Sequence, residues 1–470
     1  MKTFKALSLL EAMSDNERAF FRQFIAFPLF NKEQYVVALY EVIARQLNAP
    51  PDNAAIFARL YPGEPFNDGR IRYLKAQLFS LLKQFIFFTQ RGILFEDVAV
   101  FRYLREKKLT ELYQKEQNKL QADRQALPPE SSASYLYRYA LAFEWHNYHT
   151  KTNRVATEYL AQLNQNLDVF FIVEKLKLAC TAFNLQRLYN VQADTSLLEP
   201  ILLHIQARQL HEQHPLLGIY YHAYQMLVNN EAAFYHQLTA NLLDKARNYP
   251  VDEIKDAYLL AMNFCIQEIN KGNTDFYKEA FLLYEQGIQK EILLENGYLS
   301  PITYSNAITI ALRGKDFKNA FQFIETNKKI LQGSEQEGYY FFNLSKYYFE
   351  TGNFEKVIEL YYHSNIKELL LNIQVRVIQI KAFYEKNEWE LCQNLTDNLK
   401  QLLSRKGILA YHKDNYDNFC KIFKQLLALN PYDKNARQKL ADKTNRLAPL
   451  TEKGWLLEKM QVPPSGTVQP

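Results

Sequence analysis

Apolar residues recur at helical spacing along most of the chain. Near its start, Ser14 and Glu17 have the spacing of a capping box, in which each side chain satisfies a free backbone N–H of the other residue. Phe20 and Phe24 follow at the period of a helix, and further apolar stripes of the same kind come after them. We therefore predict that residues 1–92 form an N-terminal helical cap.

A charged segment follows the predicted cap. From Phe95 to Leu127 the apolar residues are separated by many Lys, Glu, Gln and Arg residues, which is typical of a helix with a mostly solvated surface. Pro128 and Pro129 end this pattern. Residues 93–130 are accordingly predicted to form a charged connecting helix and linker, with a domain boundary at the two prolines.

Beyond the prolines, helix-length segments come in pairs. Their mean repeat length is about 39 residues, inside the range of roughly 34 to 47 residues that helical-hairpin repeats occupy. This period predicts stacked helical hairpins over residues 131–447. The first helix of each pair is predicted to begin near Tyr135, Asn166, Pro215, Asp252, Pro301, Glu337, Lys367 and Ile408.

The turns within three of these pairs share a pattern. Gly314, Gly352 and Asn387 each stand shortly before an aromatic residue that opens the next helix. Glycine and asparagine tolerate the left-handed conformation that ends a helix. We expect the aromatic side chain to fold back into the groove between the two helices, so that each hairpin closes on itself.

These turns resemble those of tetratricopeptide repeats. In that family an aromatic residue after the turn is followed three positions later by a small residue, as Phe317 is followed by Ala320 here. The resemblance is most extensive over residues 338–364, where Leu344 takes an apolar position of the family's first helix and Ser345 takes its small position.

Composition agrees with an all-α chain. Of 470 residues, 48% are hydrophobic and 23% are charged, close to the average for a folded soluble protein. Only 14 glycines and 16 prolines are present, which argues against a sheet protein with many tight turns. The predicted fold is a right-handed solenoid of helical hairpins that resembles tetratricopeptide-repeat proteins, preceded by the N-terminal cap. Before Asp252 only the hairpin period supports this, and a generic α-solenoid fits that part equally well.

Cysteine spacing and hydropathy bear on the compartment. The four cysteines are widely scattered in apolar segments, which favours buried free thiols in a reducing compartment over a disulfide framework. Neither a secretory signal nor an apolar run of about 18 residues is recognisable. We expect a cytoplasmic protein with no membrane contact. Residues 448–470 are predicted to be a disordered tail, because residues 462–470 contain three prolines.

Recognisable catalytic motifs are missing from the sequence. The glycines form neither a dinucleotide-binding fingerprint, nor a phosphate-binding loop, nor a nucleophile elbow. His146 with His149, and His211 with His214, are spaced so that each pair could share a metal on one helix face, but surface or capping roles fit them better. We predict a protein that is not an enzyme and binds neither cofactor nor metal.

The tetratricopeptide resemblance implies which side chains face the concave surface that the family uses for ligands. In this register Phe341 and Tyr348 pack inside. The groove is implied to be lined by Ser305, Thr309 and Arg313 from one repeat, by Tyr339, Phe342, Lys346 and Phe349 from the next, and by Val377, Lys381 and Tyr384 from the third. Partner contacts are predicted for Arg313, Tyr339, Phe342, Lys346, Phe349, Lys381 and Tyr384.

A groove of aromatic and basic side chains suits a peptide or helical segment that carries acidic groups. The predicted function is therefore that of a non-catalytic scaffold or adaptor for another protein. Recognition of a terminal carboxylate is not predicted, because Ser305 and Thr309 stand where the family would need a lysine and an asparagine. An ordinary solvated face is the other interpretation of these residues.

The net charge of +5 is concentrated between Lys421 and Lys453. A helix predicted there, from Tyr432 to Leu447, is interpreted as a solvated capping helix that shields the last apolar layer. The alternative function is that of a regulatory nucleic-acid-binding protein that uses this basic segment, which would make binding steeply dependent on salt.

Overall fold

The structure is a computed structural model, and its elements are helical apart from one short hairpin among the residues it describes. The predicted all-α class is confirmed. The chain divides into two compact units, the first formed by Met1–Pro128 and Leu136–Asn166, the second by Pro129–Tyr135 and Leu167–Pro470. The described residues are 5–47, 50–89, 95–122, 130–152, 157–189, 196–245, 249–331, 333, 336–363, 366, 368–404, 410–430 and 432–461.

The first unit begins with the helices of the predicted N-terminal cap. The capping box is present, since Glu17 N donates to Ser14 Oγ at 3.3 Å and Ser14 N donates to Glu17 Oε2 at 2.8 Å. The apolar faces enclose one core, in which the ring of Phe21 meets Tyr40 and Phe85 edge-on. The helices are α1 (Lys5–Ala12), α2 (Asp15–Ala26), α3 (Gln34–Ala44), α4 (Asn53–Leu60) and α5 (Asp68–Thr89).

The structure differs from the predicted connecting helix of residues 93–130. Two helices form there, α6 (Glu96–Glu106) and α7 (Thr110–Ala122). Lys108 separates them, because its left-handed φ of 57° turns the chain. The helix that follows is α8 (Ser132–Thr152), and it shares a second core of the first unit with α6 and α7.

This second core explains why the charged segment is not a solvated rod. The ring of Phe101 meets Tyr113 and Trp145 edge-on, at centroid distances of 5.0 and 6.1 Å. Because their apolar faces are buried in this way, α6 and α7 belong to a folded layer. The predicted boundary at the prolines falls in residues 123–129, outside the described residues.

The second unit is a succession of helices joined by turns. Its strands are β1 (Leu294–Glu295) and β2 (Tyr298–Leu299), an antiparallel pair with Leu294 opposite Leu299. Residues Lys328–Ile330 form a 3-10 turn. The helices, of which the first contributes residues to both units, are α9 (Glu158–Tyr189), α10 (Leu198–Arg208), α11 (Leu210–Gln213), α12 (Pro215–Asn229), α13 (Ala232–Lys245), α14 (Val251–Asn270), α15 (Phe276–Gln289), α16 (Pro301–Arg313), α17 (Phe317–Asn327), α18 (Gln336–Glu350), α19 (Phe354–His363), α20 (Leu369–Glu385), α21 (Trp389–Leu403), α22 (Ala410–Leu427), α23 (Lys434–Arg446) and α24 (Lys453–Gln461).

The packing of these helices is consistent with a helical repeat. From α12 to α24, neighbours along the chain pack against each other, and α12 also contacts α14, α16 contacts α18, and α18 contacts α20. Four helices, α12, α14, α16 and α18, begin within one residue of the starts that the hairpin period predicts, whereas the predicted starts at Lys367 and Ile408 lie outside the described residues. The predicted start at Asn166 falls instead inside α9, which continues across it.

The turns between paired helices use left-handed residues, though not always the predicted one. Gly352 has a φ of 73° and Asn387 a φ of 61°, as their residue types suggest. In the turn before α17 the left-handed residue is Lys315, at 58°, while Gly314 has a φ of −74°. Glycine at position 314 allows a close approach to Tyr277, because an added Cβ would lie 2.9 Å from Cβ of Tyr277.

The last helix corrects the predicted tail of residues 448–470. Helix α24 is folded, and its Leu456 and Met460 are buried in a core shared with α22 and α23. The helix is also tied to α20, since Trp455 Nε1 donates to Glu385 Oε1 at 2.8 Å. Residues 462–470 lie outside the described residues.

The predicted buried thiols are confirmed. Cys180, Cys265, Cys392 and Cys420 are free and buried. Burial raises the pKa of each thiol to about 12, so all four are protonated and poorly nucleophilic at neutral pH. Among the helices of the described ranges, none is both long and apolar enough to cross a lipid bilayer.

Candidate functional site

A pocket of about 330 Å³ in the second unit collects cationic, acidic and aromatic side chains. Helices α16, α18, α20 and α22 form most of its wall, and the connection between α23 and α24 completes it. The lining residues are Thr309, Leu312, Arg313, Phe342, Lys346, Phe349, Glu350, Gln374, Val377, Ile378, Lys381, Tyr416, Thr451 and Glu452.

Most of the predicted partner-contact residues meet in this pocket. Those that line it are Arg313, Phe342, Lys346, Phe349 and Lys381. Two further residues of the same register, Thr309 and Val377, line it as well. Helix geometry explains part of the convergence, because residues 342, 346 and 349 are four and three positions apart and share one face of α18.

Tyr384 and Tyr339 lie outside the pocket. Tyr384 is only 6% exposed, and its ring meets those of Trp389, Phe423 and Trp455 at centroid distances of 5.1, 5.8 and 5.3 Å. Because Trp455 of α24 covers this position, Tyr384 belongs to the core and is not available to a partner. Tyr339 is partly buried and packs at the edge of the apolar cluster between α18 and α20.

Lys346 forms part of the pocket wall, and its ammonium contacts a hydroxyl and an aromatic ring, neither of which carries a negative charge. Its Nζ donates to Thr309 Oγ1 at 3.0 Å and lies 4.6 Å from the centroid of the Phe342 ring. Burial lowers the pKa of the Lys346 ammonium to about 8; Glu452 and Glu350 oppose this shift in pKa, whereas Arg313 and Lys381 add to it. The fold therefore keeps a partly desolvated cation at this point.

Lys381 is the second cation of the pocket, and it is already paired. The residue is 5% exposed, and Nζ donates to Glu452 Oε2 at 2.7 Å. The same ammonium lies 4.1 Å from the centroid of the Phe349 ring and 5.5 Å from that of Trp455. A cation enclosed by two rings and one carboxylate is favourable in a place that water reaches poorly.

Glu452 is one of the pocket residues that sequence reasoning missed, and it pairs with a predicted cation. It follows α23 and adopts a left-handed φ of 55°, which is uncommon for a residue with a Cβ. This conformation places Glu452 in the pocket lining beside Thr451, and Glu452 is 71 positions along the chain from Lys381. The charge run around α23 draws attention to the basic residues of this segment, and no local pattern singles out its one pocket carboxylate.

The predicted histidine pairs have aromatic or capping surroundings. His149 Nε2 lies 3.1 Å from Gln117 Oε1, and its ring stacks on Tyr159 at 5.0 Å. His211 stacks on Tyr221 at 4.9 Å, and His214 is the residue that precedes α12. Within the described ranges, no group of three or more His, Cys, Asp or Glu side chains is placed to hold a metal ion.

The basic segment forms an exposed face on α23. Lys439, Lys443 and Arg446 are exposed and line a shallow surface cavity together with Asp442. Their spacing of four and three residues puts the three cations on one side of the helix. Arg437 differs, because it is partly buried and its Nε donates to Met460 O at 2.7 Å.

Comparison of the chain with protein-family models, with curated proteins and with solved structures finds no match.

Proposed function

We propose that the second unit is a tetratricopeptide-like solenoid that acts as a non-catalytic scaffold and holds an acidic segment of another protein in the pocket around Lys346. The observation that carries this proposal is the convergence of cations and aromatic rings from three successive hairpins on one pocket. Rings supply contact area for a bound segment, and the cations orient its anionic groups.

The state of the pocket's charged groups supports binding rather than catalysis. The ammonium groups of Lys346 and Lys381 rest on aromatic rings, and Arg313 is exposed at the rim. Such groups suit a ligand that is bound through its charge and shape and is not chemically changed. Protonated, buried thiols fit a reducing compartment, and on this basis we propose a cytoplasmic location.

The double substitution Arg313→Glu, Lys346→Gln is expected to weaken partner binding at least about 100-fold. Each change removes a charge-assisted contact that contributes roughly 1.5–3 kcal/mol. Neither creates a cavity in the apolar core, because Arg313 is exposed and Lys346 forms part of the pocket wall. The measurement is capture of partners from the native cell with the wild-type protein, followed by calorimetric titration of each purified partner.

Lys318→Glu, Lys329→Gln is the matched control, since it makes the same change in net charge at two exposed positions outside the pocket lining. We expect this control to bind like the wild type. Equal affinity of a partner for the wild type and for a folded Arg313→Glu, Lys346→Gln variant would contradict the proposed site.

A second candidate function is supported by the exposed cations of α23. If Lys439, Lys443 and Arg446 each contact a phosphate, affinity for duplex RNA or DNA should fall roughly 40-fold between 50 and 200 mM salt. Replacing all three residues by glutamine should remove both the affinity and its salt dependence. Fluorescence anisotropy with a labelled duplex measures this, and weak binding that is indifferent to salt would eliminate the candidate.

A further inference from the structure

The pocket contains two lysines in similar surroundings. The ammonium of Lys381 lies over the ring of Phe349, and the ammonium of Lys346 lies over the ring of Phe342. We call these the Lys381 subsite and the Lys346 subsite. In each, an aromatic face stabilises the cation from one side and leaves another side for an anionic group.

The two subsites differ in what occupies that other side. Glu452 Oε2 accepts from Lys381 Nζ at 2.7 Å, so the chain itself fills the first subsite with a carboxylate. At the second, Lys346 Nζ donates to the neutral hydroxyl of Thr309. No carboxylate oxygen of the described residues lies within ion-pair distance of that Nζ.

The charges of the pocket lining do not balance. Arg313, Lys346 and Lys381 are set against Glu350 and Glu452, which leaves one cation in excess. A partly desolvated charge without a counter-charge is unfavourable, and an anion that arrives with a ligand relieves this cost. The excess matters most at Lys346, whose ammonium is partly desolvated and bonded to a hydroxyl, whereas Arg313 is exposed to water.

We propose that the Lys346 subsite receives the carboxylate of an aspartate or glutamate side chain of the bound segment, and that Glu452 is the chain's own occupant of the neighbouring Lys381 subsite. This inference rests on the proposed function and specifies its ligand chemistry. The apolar walls formed by Leu312 and Ile378 favour an acidic residue that has an apolar or aromatic neighbour in the segment.

Glu452 has an opposing effect on such a ligand. Its negative charge acts on Lys346 across the pocket, and it repels a second carboxylate arriving there. Removing the charge of Glu452 should therefore strengthen the binding of an acidic segment. A purely structural Glu452 would give the opposite result, since loss of its ion pair with Lys381 would loosen the pocket.

The test compares two probes by nuclear magnetic resonance titration of the full chain. One probe is N-acetyl-phenylalanyl-glutamic acid α-amide, and the other is the same dipeptide with glutamine in place of glutamic acid. The wild type should bind the acidic probe about 10-fold more tightly than the neutral one. Lys346→Gln should remove this preference, and thermal unfolding verifies that the variant is folded.

Glu452→Gln should strengthen binding of the acidic probe about 3- to 10-fold and leave the neutral probe within twofold. Glu359→Gln makes the same change in net charge at an exposed position of α19 and should alter neither affinity. Weaker binding of the acidic probe by a folded Glu452→Gln variant, or equal binding of the two probes by the wild type, would overturn the inference.

Binding of the acidic probe should also weaken with rising pH. Lys346 accepts the carboxylate only as an ammonium ion, and it loses its proton as pH passes its pKa of about 8. The groups that face it are Arg313 from α16, Glu350 from α18, Lys381 from α20, Tyr416 from α22 and Glu452. Burial raises the pKa of Tyr416, so that group stays neutral. Affinity should fall up to about 10-fold between pH 7 and 9, and a pH-independent affinity would contradict the assignment.

The outcomes separate this inference from the proposed function. Loss of partner capture by the Arg313→Glu, Lys346→Gln variant, together with equal binding of the two probes, would reject the carboxylate and retain the scaffold. A clear preference for the acidic probe without any captured protein would reject the scaffold and retain the anion subsite. Free glutarate that binds as tightly as the acidic dipeptide would overturn the assignment to a protein side chain.

Discussion

Glu144→Ala should lower the free energy of unfolding of the first unit by about 3–5 kcal/mol. The Glu144 side chain is 1% exposed, and its carboxylate oxygens accept hydrogen bonds from Arg102 Nε and Arg105 Nε, both at 2.9 Å. Removing the carboxylate leaves the Arg105 guanidinium, which is 17% exposed, without a counter-charge in a poorly solvated place. Urea unfolding followed by circular dichroism measures the loss.

Arg102→Ala is the matched control for this prediction. The Arg102 side chain is 58% exposed, so its half of the network is screened by water and its removal should cost less than about 1 kcal/mol. Equal effects of Glu144→Ala and Arg102→Ala would mean that burial of the carboxylate adds nothing to the stability of α6 and α8.

Gly218→Ala should destabilise the second unit by about 1–3 kcal/mol, although alanine is the better helix former. Gly218 lies in the first turns of α12, where a Cβ would overlap the backbone carbonyl oxygen of His211 in α11. Backbone cannot rotate away as a side chain can, so α11 or the start of α12 must shift. The midpoint of urea unfolding, with the slope unchanged, reports the loss.

Gly454→Ala tests the same substitution where space is free. An added Cβ at Gly454 in α24 meets nothing within 4 Å, and the residue is exposed. Here the lower entropy of the unfolded chain should raise stability by about 0.5 kcal/mol. If Gly218→Ala were stabilising as well, the close approach of α11 to α12 would not constrain the fold.

Local signals predicted much of the helical architecture. The capping box at Ser14 and Glu17 is formed, and proline at the first position of α16 follows an N-cap serine whose Oγ accepts from Thr303 N at 3.1 Å. Such contacts link residues three positions apart, which makes them visible in sequence. The left-handed turns at Lys108 and Lys315 were not predictable from the sequence, because lysine carries no preference for the left-handed conformation that both residues adopt.

Part of the candidate site was predictable, since the tetratricopeptide register assigned Arg313 and Lys381 to the same groove as residues of α18, and all of these line the pocket. Phe342, Lys346 and Phe349 share a face of α18 by their spacing alone. By contrast, Tyr384 is buried because Trp455, 71 positions later, packs on its ring. The spacing of residues within one repeat does not indicate where α24 packs. Glu452 escapes prediction for the same reason, since its role depends on where the connection after α23 docks.

The position of that connection near the end of the pocket lining also determines when the pocket can be completed during protein synthesis. Its lining extends from Thr309 to Glu452, and the ribosome makes the chain from the N-terminal side. Lys346 and Lys381 are therefore synthesised before Glu452, so the ion pair between Lys381 and Glu452 can form only after the rest of the pocket lining has been made.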